Sequence, residues 1–386
     1  MIVIDDVSKC CGCEACVQRC PRGCIEMKAD HEGFFYPSVD TLQCIGCGAC
    51  NRVCPIQNGQ SEISNIVPKA YAAFAQDSEI RKESSSGGIF TVLSGQIIKQ
   101  NGRVFGAVMS EDCKTVFHAK AQDLPELVAM RGSKYVQSRI LDTYVSVEKE
   151  LKNNKIVLFS GTPCQVEGLK GYLGKEYENL VCVDLICHGV PSPKLWKKYV
   201  EYREKCTGAR VKKIWFRFKK YGWKRFSVLF QFSNNAEYES IFLKDVYGQM
   251  FCQNICLRPA CYQCNFKSLH HKSDITLADF WGCENICPEL DDDKGLSLVL
   301  VHSDRGSKLL DLISPYVVTK QVDERWINEN KKIIQPTVKP ANRDKFYEKI
   351  DQKSIKWLAV KYLPIKGKLL MIIPISVQEQ IKRLLK

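Results

Sequence analysis

Six cysteines fall within CCGCEACVQRCPRGC, Cys10 to Cys24. Four of them form the pattern Cys10-x2-Cys13-x2-Cys16-x3-Cys20-Pro21, which returns as Cys44-x2-Cys47-x2-Cys50-x3-Cys54-Pro55. Three thiolates at two-residue gaps can wrap one loop around a face of an iron–sulfur cubane, while the fourth, turned by the proline, reaches a different cubane. The spacing therefore predicts two 4Fe–4S clusters with crossed ligation. One would use Cys10, Cys13, Cys16 and Cys54, and the other Cys44, Cys47, Cys50 and Cys20. Gly12, Gly46 and Gly48 would let backbone N–H groups approach the sulfurs and tune the potential. Zinc sites built from paired thiols are the alternative, but zinc requires no third and fourth cysteine plus proline, in duplicate. Cys11 and Cys24 fall outside the spacing and read as spare thiols beside the clusters.

The composition supports metal rather than disulfides. With 386 residues, 45% of them hydrophobic, the chain can bury real cores without covalent staples, so its 21 cysteines need another reason. The acidic MIVIDDVSK before Cys10 is unlike a secretory leader, and no apolar run approaches the roughly 18 residues of a membrane span. The expected compartment is the reducing cytoplasm. The net charge of +13 favours acidic partners without naming one.

Several elements must position this chemistry. Residues 1–60 carry the cysteine repeat, 61–68 (SEISNIVP) read as a linker, and 69–340 as one α+β body. KAYAAFAQ, RVFGAVMS, KIVLFSG, DITLADF and LSLVLVH are predicted strands, with VKKIWFRFKK and SVLFQFSN as antiparallel neighbours. GGIFTVLSGQIIKQNG is a predicted helix with Gly102 as its C-cap, and ILDTYVSVEKELKNN and RGSKLLDLI are two more. Residues 341–386 form a basic, apolar tail broken by Pro364 and Pro374. It suits a docked amphipathic helix pair, or peripheral contact with an anionic membrane surface. The aromatics of VKKIWFRFKKYGWKRF suit a buried strand face better than a nucleic-acid surface.

In the body, SSSGGIF precedes a helix, and its free N–H groups suit a phosphate or a plain N-cap. FSGTPCQVEGL places Cys164 at a strand-to-helix turn, where α/β ligand sites sit. RGSKYVQS offers Arg131, Lys134 and serines. VDLICHGVPS contributes Cys187 and His188, and RPACYQC contributes Cys261 and Cys264, with Cys256 upstream. A CxxC with two distant single cysteines is the right count for a third cluster, with zinc or buried thiols as alternatives. His188 is either a proton donor or a satisfied structural histidine.

Taken in order, the cysteine repeat, SSSGGIF, RGSKYVQS, GTPCQVEGL, CHGVPSPKLW, RPACYQC and SDITLADFWG resemble the coenzyme F420 hydrogenase/dehydrogenase beta-subunit family, from Cys10 to about His302. The resemblance implies a two-cluster ferredoxin domain followed by a mixed α/β domain holding FAD beside a third 4Fe–4S cluster. Flavin contacts would come from Ser85, Ser86, Gly87 and Gly88, from Ser133, Lys134, Tyr135 and Ser138, and from Gly161, Thr162 and Pro163. The inner cluster would take Cys164, Cys187, Cys261 and Cys264, with Asp279 and Trp281 nearby. Ala278 departs from the usual glycine of that motif, and Cys283 and Cys287 compete, like Cys256, for the inner cluster.

Flavin converts between hydride and single electrons, which suits a cluster wire. The expected activity is that of a flavin-dependent iron–sulfur oxidoreductase, a bacterial reductase more than an F420 enzyme. Lys134 and His188 are the candidate catalytic groups, and Lys134 or Arg131 would stabilise reduced flavin. Expected partners are a ferredoxin or another electron-transfer protein and a small-molecule or deazaflavin-like substrate, and no nucleic acid. The rival reading is an electron-transfer subunit without its own substrate site.

Overall fold

The computed structural model describes residues 1–58, 67–323, 334–365 and 368. Both cysteine runs fold alike. Each leads into a short helix carrying its third cysteine, α1 (Ala15–Gln18) and α2 (Ala49–Arg52). The tight turn before each helix needs left-handed backbone, and glycine supplies it at Gly12 (φ 73°) and Gly46 (φ 69°). Between the helices lies an antiparallel hairpin, β1 (Ile25–Ala29) with β2 (Phe35–Val39).

The body is built on an eight-stranded sheet. Its strands are β3 (Lys69–Ala75), β4 (Arg103–Met109), β5 (Val116–Ala121), β6 (Val157–Ser160), β7 (Leu180–Leu185), β11 (Ile275–Asp279), β12 (Ser297–Val301) and β13 (Val317–Val322). They lie in the order β13-β3-β12-β11-β7-β6-β4-β5. Neighbours β11, β7, β6 and β4 run parallel. Strand β12 lies antiparallel between β11 and β3, so β3 points the same way as the parallel set. The carboxyl ends of β3, β6, β7 and β11 therefore share one sheet edge. That edge is where open α/β sheets bind ligands. Val157, Leu158, Phe159, Val183 and Ile275 are wholly buried, as central strands covered on both faces require.

A second sheet, antiparallel throughout, joins β8 (Val211–Phe218), β9 (Ser227–Phe232) and β10 (Glu237–Ile241). It packs on the helix Pro193–Thr207 through Trp196, Tyr199, Phe216 and Phe230, all at most 3% exposed. Each such side chain contributes roughly 1.5–3 kcal/mol. The same core takes Phe346, Tyr347, Ile355 and Leu358 from two helices of the tail, Arg343–Glu348 and Ile355–Tyr362. The linker reading falls mostly outside the described residues, as does the tail beyond residue 368.

One helix end differs from expectation. The helix Ile89–Lys99 reverses through Asn101 (φ 59°), not Gly102. Asparagine tolerates left-handed backbone, and Gly102 is small for another reason. A Cβ there would stand 2.7 Å from the Ile156 carbonyl.

Candidate iron–sulfur and redox site

The two cysteine runs close around two small apolar cavities. One is walled by Cys10, Cys13, Cys16 and Cys54, together with Cys11. The other is walled by Cys20, Cys44, Cys47 and Cys50, together with Cys24. Each run thus sends its fourth cysteine to the other run's cavity, the crossing that the spacing predicts. The donor chemistry suits clusters: Ile2 N–H points to Cys50 Sγ at 3.2 Å, and an Arg258 N–H points to Cys10 Sγ at 3.6 Å. Cys24 is not remote from this chemistry, since its sulfur stands 3.4 Å from that of Cys20.

A third thiol site lies at the shared strand edge. The turn after β6, Gly161-Thr162-Pro163, opens the helix Pro163–Leu173, with a capping box between Thr162 and Gln165. Cys164 sits in its first turn. Cys187 follows β7, Cys261 lies in the short 3-10 helix Pro259–Gln263, and Cys264 follows directly after it. These four line one cavity of about 350 Å³ with Cys11, Arg258, His188 and His271. Burial first, then the neighbouring thiols, push Cys264 up to about 11; Cys261 reaches about 12. Four thiolates can share this space only around a strongly positive metal centre. Val190 N–H donates to Cys261 Sγ at 3.4 Å, and the Thr162 hydroxyl meets Cys164 Sγ at 3.1 Å. The competing cysteines lie elsewhere. Cys256 is buried in the aromatic core, and Cys283 and Cys287 pack under Trp223 and Phe280.

The first ferredoxin-type cavity and the inner cavity adjoin. The Cys11 thiol lies against both Cys13 and Cys164. The helix that opens at Pro163 passes both runs closely: a Cβ on Gly168 would stand 2.8 Å from that of Cys13 in the first, and one on Gly171 2.7 Å from the Val53 carbonyl in the second. Buried Glu14 pairs with Arg139 and accepts from Ile140 N and Leu141 N. Gln18 Oε1 accepts from Tyr144 N at 2.9 Å. At the tail, Arg343 forms a two-pronged ion pair with Glu32, both nearly inaccessible.

The three motifs expected to hold a flavin converge. Ser133 N–H donates to Ser85 Oγ at 2.7 Å, and Gln165 Nε2 donates to Ser138 Oγ at 2.9 Å. The loop 131–138 therefore spans from SSSGG to the GTPC turn. Some of the expected contacts are already engaged. Ser86 Oγ donates to Leu296 O, and Gly87 is small because a Cβ would meet the Ala73 carbonyl at 2.4 Å. Tyr135 packs among Phe216, Phe242 and Phe251, its hydroxyl held by Arg217 at 3.2 Å.

Among the described residues, two lysines here make no ion pair with a carboxylate. Lys134 donates to the carbonyls of Arg131 and Gly132, and Lys219 to those of Arg81, Ser86 and Lys294. Burial pushes each lysine down to about 7. The Nε–H groups of Arg131 and Arg217 are buried without a partner. Lys134 and the Arg131 Nε–H, neighbours on one loop, have the chemistry to meet an anionic group. Asp279 binds Arg217 through both oxygens and accepts from Trp223 Nε1, and Trp281 stacks on Trp223 with centroids 4.6 Å apart.

Two groups carry no signal in the sequence: Arg258, and a buried chain of His271, Asp184, Thr276 and His302. His271 Nδ1 lies 2.8 Å from Asp184, and although burial opposes its charge, that carboxylate holds its pKa above the ordinary value. His302 is pushed down to about 4 by burial. His188 stands at the inner cavity with Nε2 2.7 Å from Asn254 Oδ1, and burial lowers its pKa.

A duplicated four-thiol fold docked on an α+β body defines an iron–sulfur electron-transfer protein. Residues 9–58 match the family model of the 4Fe-4S dicluster domain, and residues 154–325 match that of the C terminus of the coenzyme F420 hydrogenase/dehydrogenase beta subunit. The chain is thus an oxidoreductase-type iron–sulfur protein related to that beta subunit. Among solved structures it is similar to a chain in "Xenon derivatization of the F420-reducing NiFe hydrogenase complex from Methanosarcina barkeri", at 15% identity and a TM-score of 0.48, over 75% of this chain and 95% of that one. No curated protein matches it. No helix among the described residues is long and apolar enough to cross a membrane.

Proposed function

We propose that this chain is a flavin-dependent iron–sulfur oxidoreductase, in which a ferredoxin-type domain exchanges electrons with a flavin and substrate site through an inner 4Fe–4S cluster. The carrying observation is that Cys164, Cys187, Cys261 and Cys264, from three separate parts of the chain, wall one cavity beside the first cysteine run. Cys10, Cys13, Cys16 and Cys54 would hold the first cluster, and Cys20, Cys44, Cys47 and Cys50 the second. FAD, when bound, would supply conversion between hydride and single-electron transfer. Ser85 and Ser133 would receive it at the head of the helix Ile89–Lys99, with Lys134 and the orphaned Arg131 donor answering its phosphates. Thr162 and Pro163 belong both to this turn and to the inner cavity, so they would set the spacing between cofactors. His188, anchored by Asn254, would close the rim of the inner site. The physiological partner would be a ferredoxin-like donor or acceptor, and the substrate a small molecule, a deazaflavin or another hydride carrier.

Anaerobic purification with iron, sulfide and flavin quantitation tests this. The expected result is about twelve irons and one FAD per chain. Eight irons would remove the inner cluster, and absence of flavin after FAD reconstitution would leave an electron-transfer subunit only.

A further inference from the structure

Arg258 is 1% exposed and stands between two thiol-walled cavities. Its Nε donates to the Cys10 carbonyl at 2.7 Å, Nη1 to Gln137 Oε1 at 3.0 Å, and Nη2 to Phe35 O at 2.9 Å and Cys10 Sγ at 3.6 Å. The Tyr36 ring lies 4.3 Å from the guanidinium carbon. The same side chain lines the inner cavity with Cys164 and Cys261. Its hydrogen bonds satisfy geometry but not charge, since each acceptor is a carbonyl, an amide or a sulfur. Among the described residues no carboxylate makes an ion pair with it.

A buried, uncompensated charge is strongly unfavourable, so the fold must bring negative charge to it. The groups at hand are cysteine sulfurs on both sides. Four thiolates around a 4Fe–4S core leave a net negative centre, and that charge grows on reduction. A fixed cation nearby therefore favours the reduced form and raises the potential, as do hydrogen bonds to ligand sulfur. Arg258 supplies both effects to the first site and the charge effect to the inner one. The second site, around Cys20 and Cys47, does not touch it.

We propose that Arg258 is the shared counter-charge of the first ferredoxin-type cluster and the inner cluster, holding both at higher reduction potential than they would have without it. The inference rests on the three-cluster reading above. It makes Arg258 a positioning and tuning residue, since it would act through the clusters and not on substrate.

The test is an EPR-monitored redox titration of the anaerobically purified full chain as wild type, Arg258→Met, Arg258→Gln and Arg258→Lys, each with iron and sulfide counted. A Cys20→Ala chain identifies the second cluster's signal by its loss. With iron retained, Arg258→Met and Arg258→Gln should shift two signals to lower potential and leave the second cluster's unmoved. Arg258→Lys, which keeps the charge, should recover most of the shift. Loss of iron in the Met and Gln chains with retention in Lys also supports a charge role. Full iron with unmoved potentials, or equal iron loss in all three variants, overturns it in favour of packing. Eight irons in the wild-type chain would instead overturn the three-cluster reading itself.

Discussion

Gly168 and Cys13 are in direct contact: a methyl group on Gly168 would stand 2.8 Å from the Cys13 Cβ and 3.0 Å from its sulfur. Neither atom can withdraw easily, because Cys13 is buried and Gly168 lies within the helix Pro163–Leu173. Gly168→Ala should displace Cys13 and destabilise the first cluster while sparing the second. Iron should fall by about four per chain, read by iron quantitation and by loss of one EPR signal. Unchanged iron would show that the junction is looser than this spacing implies.

The crossed walls of the two cavities predict that Cys20 and Cys54 report on opposite clusters. Cys54→Ala should remove the cluster of the first run, and Cys20→Ala that of the second, each leaving the other's spectrum intact. If each replacement damaged the cluster of its own run, the crossing would be wrong. Cys24→Ala should leave iron unchanged.

The ion pair of Arg343 with Glu32 joins the tail to the hairpin loop of the cysteine domain, with side-chain exposures of 2% and 8%. Removing one partner strands a buried charge, which typically costs about 3–5 kcal/mol. Arg343→Ala should lower the denaturant midpoint accordingly, and a double change with Glu32→Gln should recover part of the loss. Additive losses would mean that the two residues act independently.

Lys134 gives a pH signature. Burial pushes its folded value down to about 7, against about 10.5 in an unfolded chain. Between these values the unfolded chain holds a proton that the folded one lacks, so this residue makes stability rise with pH. Binding of an anion has the opposite sign, because it selects the protonated lysine. FAD affinity of the flavin-free protein should therefore fall by up to about tenfold per pH unit above 7, and Lys134→Gln should flatten that slope. Fluorescence titrations across neutral and mildly alkaline pH check both; an equal slope in the variant excludes Lys134 as the anion's partner.

What the sequence discloses follows the range of the interaction. The crossed cysteine pattern is legible because local spacing limits which cavity each thiol can reach. The central strands are legible because Val157–Phe159 and Leu298–Val301 are unbroken apolar runs. Cys256, Cys261, Cys264, Cys283 and Cys287 look alike in a linear text, and only tertiary folding separates those that wall a cavity from those in a core. Arg258 carries no local mark: its meaning depends on Cys10 and Gln137, which lie far from it in sequence. The turn at Asn101 reads as one at Gly102 because both residues suit a helix end, and close contacts with Ile97 and the Ile156 carbonyl explain the glycine.

The helix Pro163–Leu173 begins at the inner cavity with Cys164 and reaches the first cysteine run at Gly168, four residues later. At about 1.5 Å per residue that is about 6 Å of continuous backbone, a little over one helical turn. The gap between the first cysteine-walled cavity and the inner one is thus a covalent length, in the way that a rung sets the spacing of a ladder's rails. No hinge or diffusive docking step need intervene. Electron passage across this junction should be indifferent to solvent viscosity and ionic strength, and any dependence on either should arise where a partner meets the exposed Cys47 end.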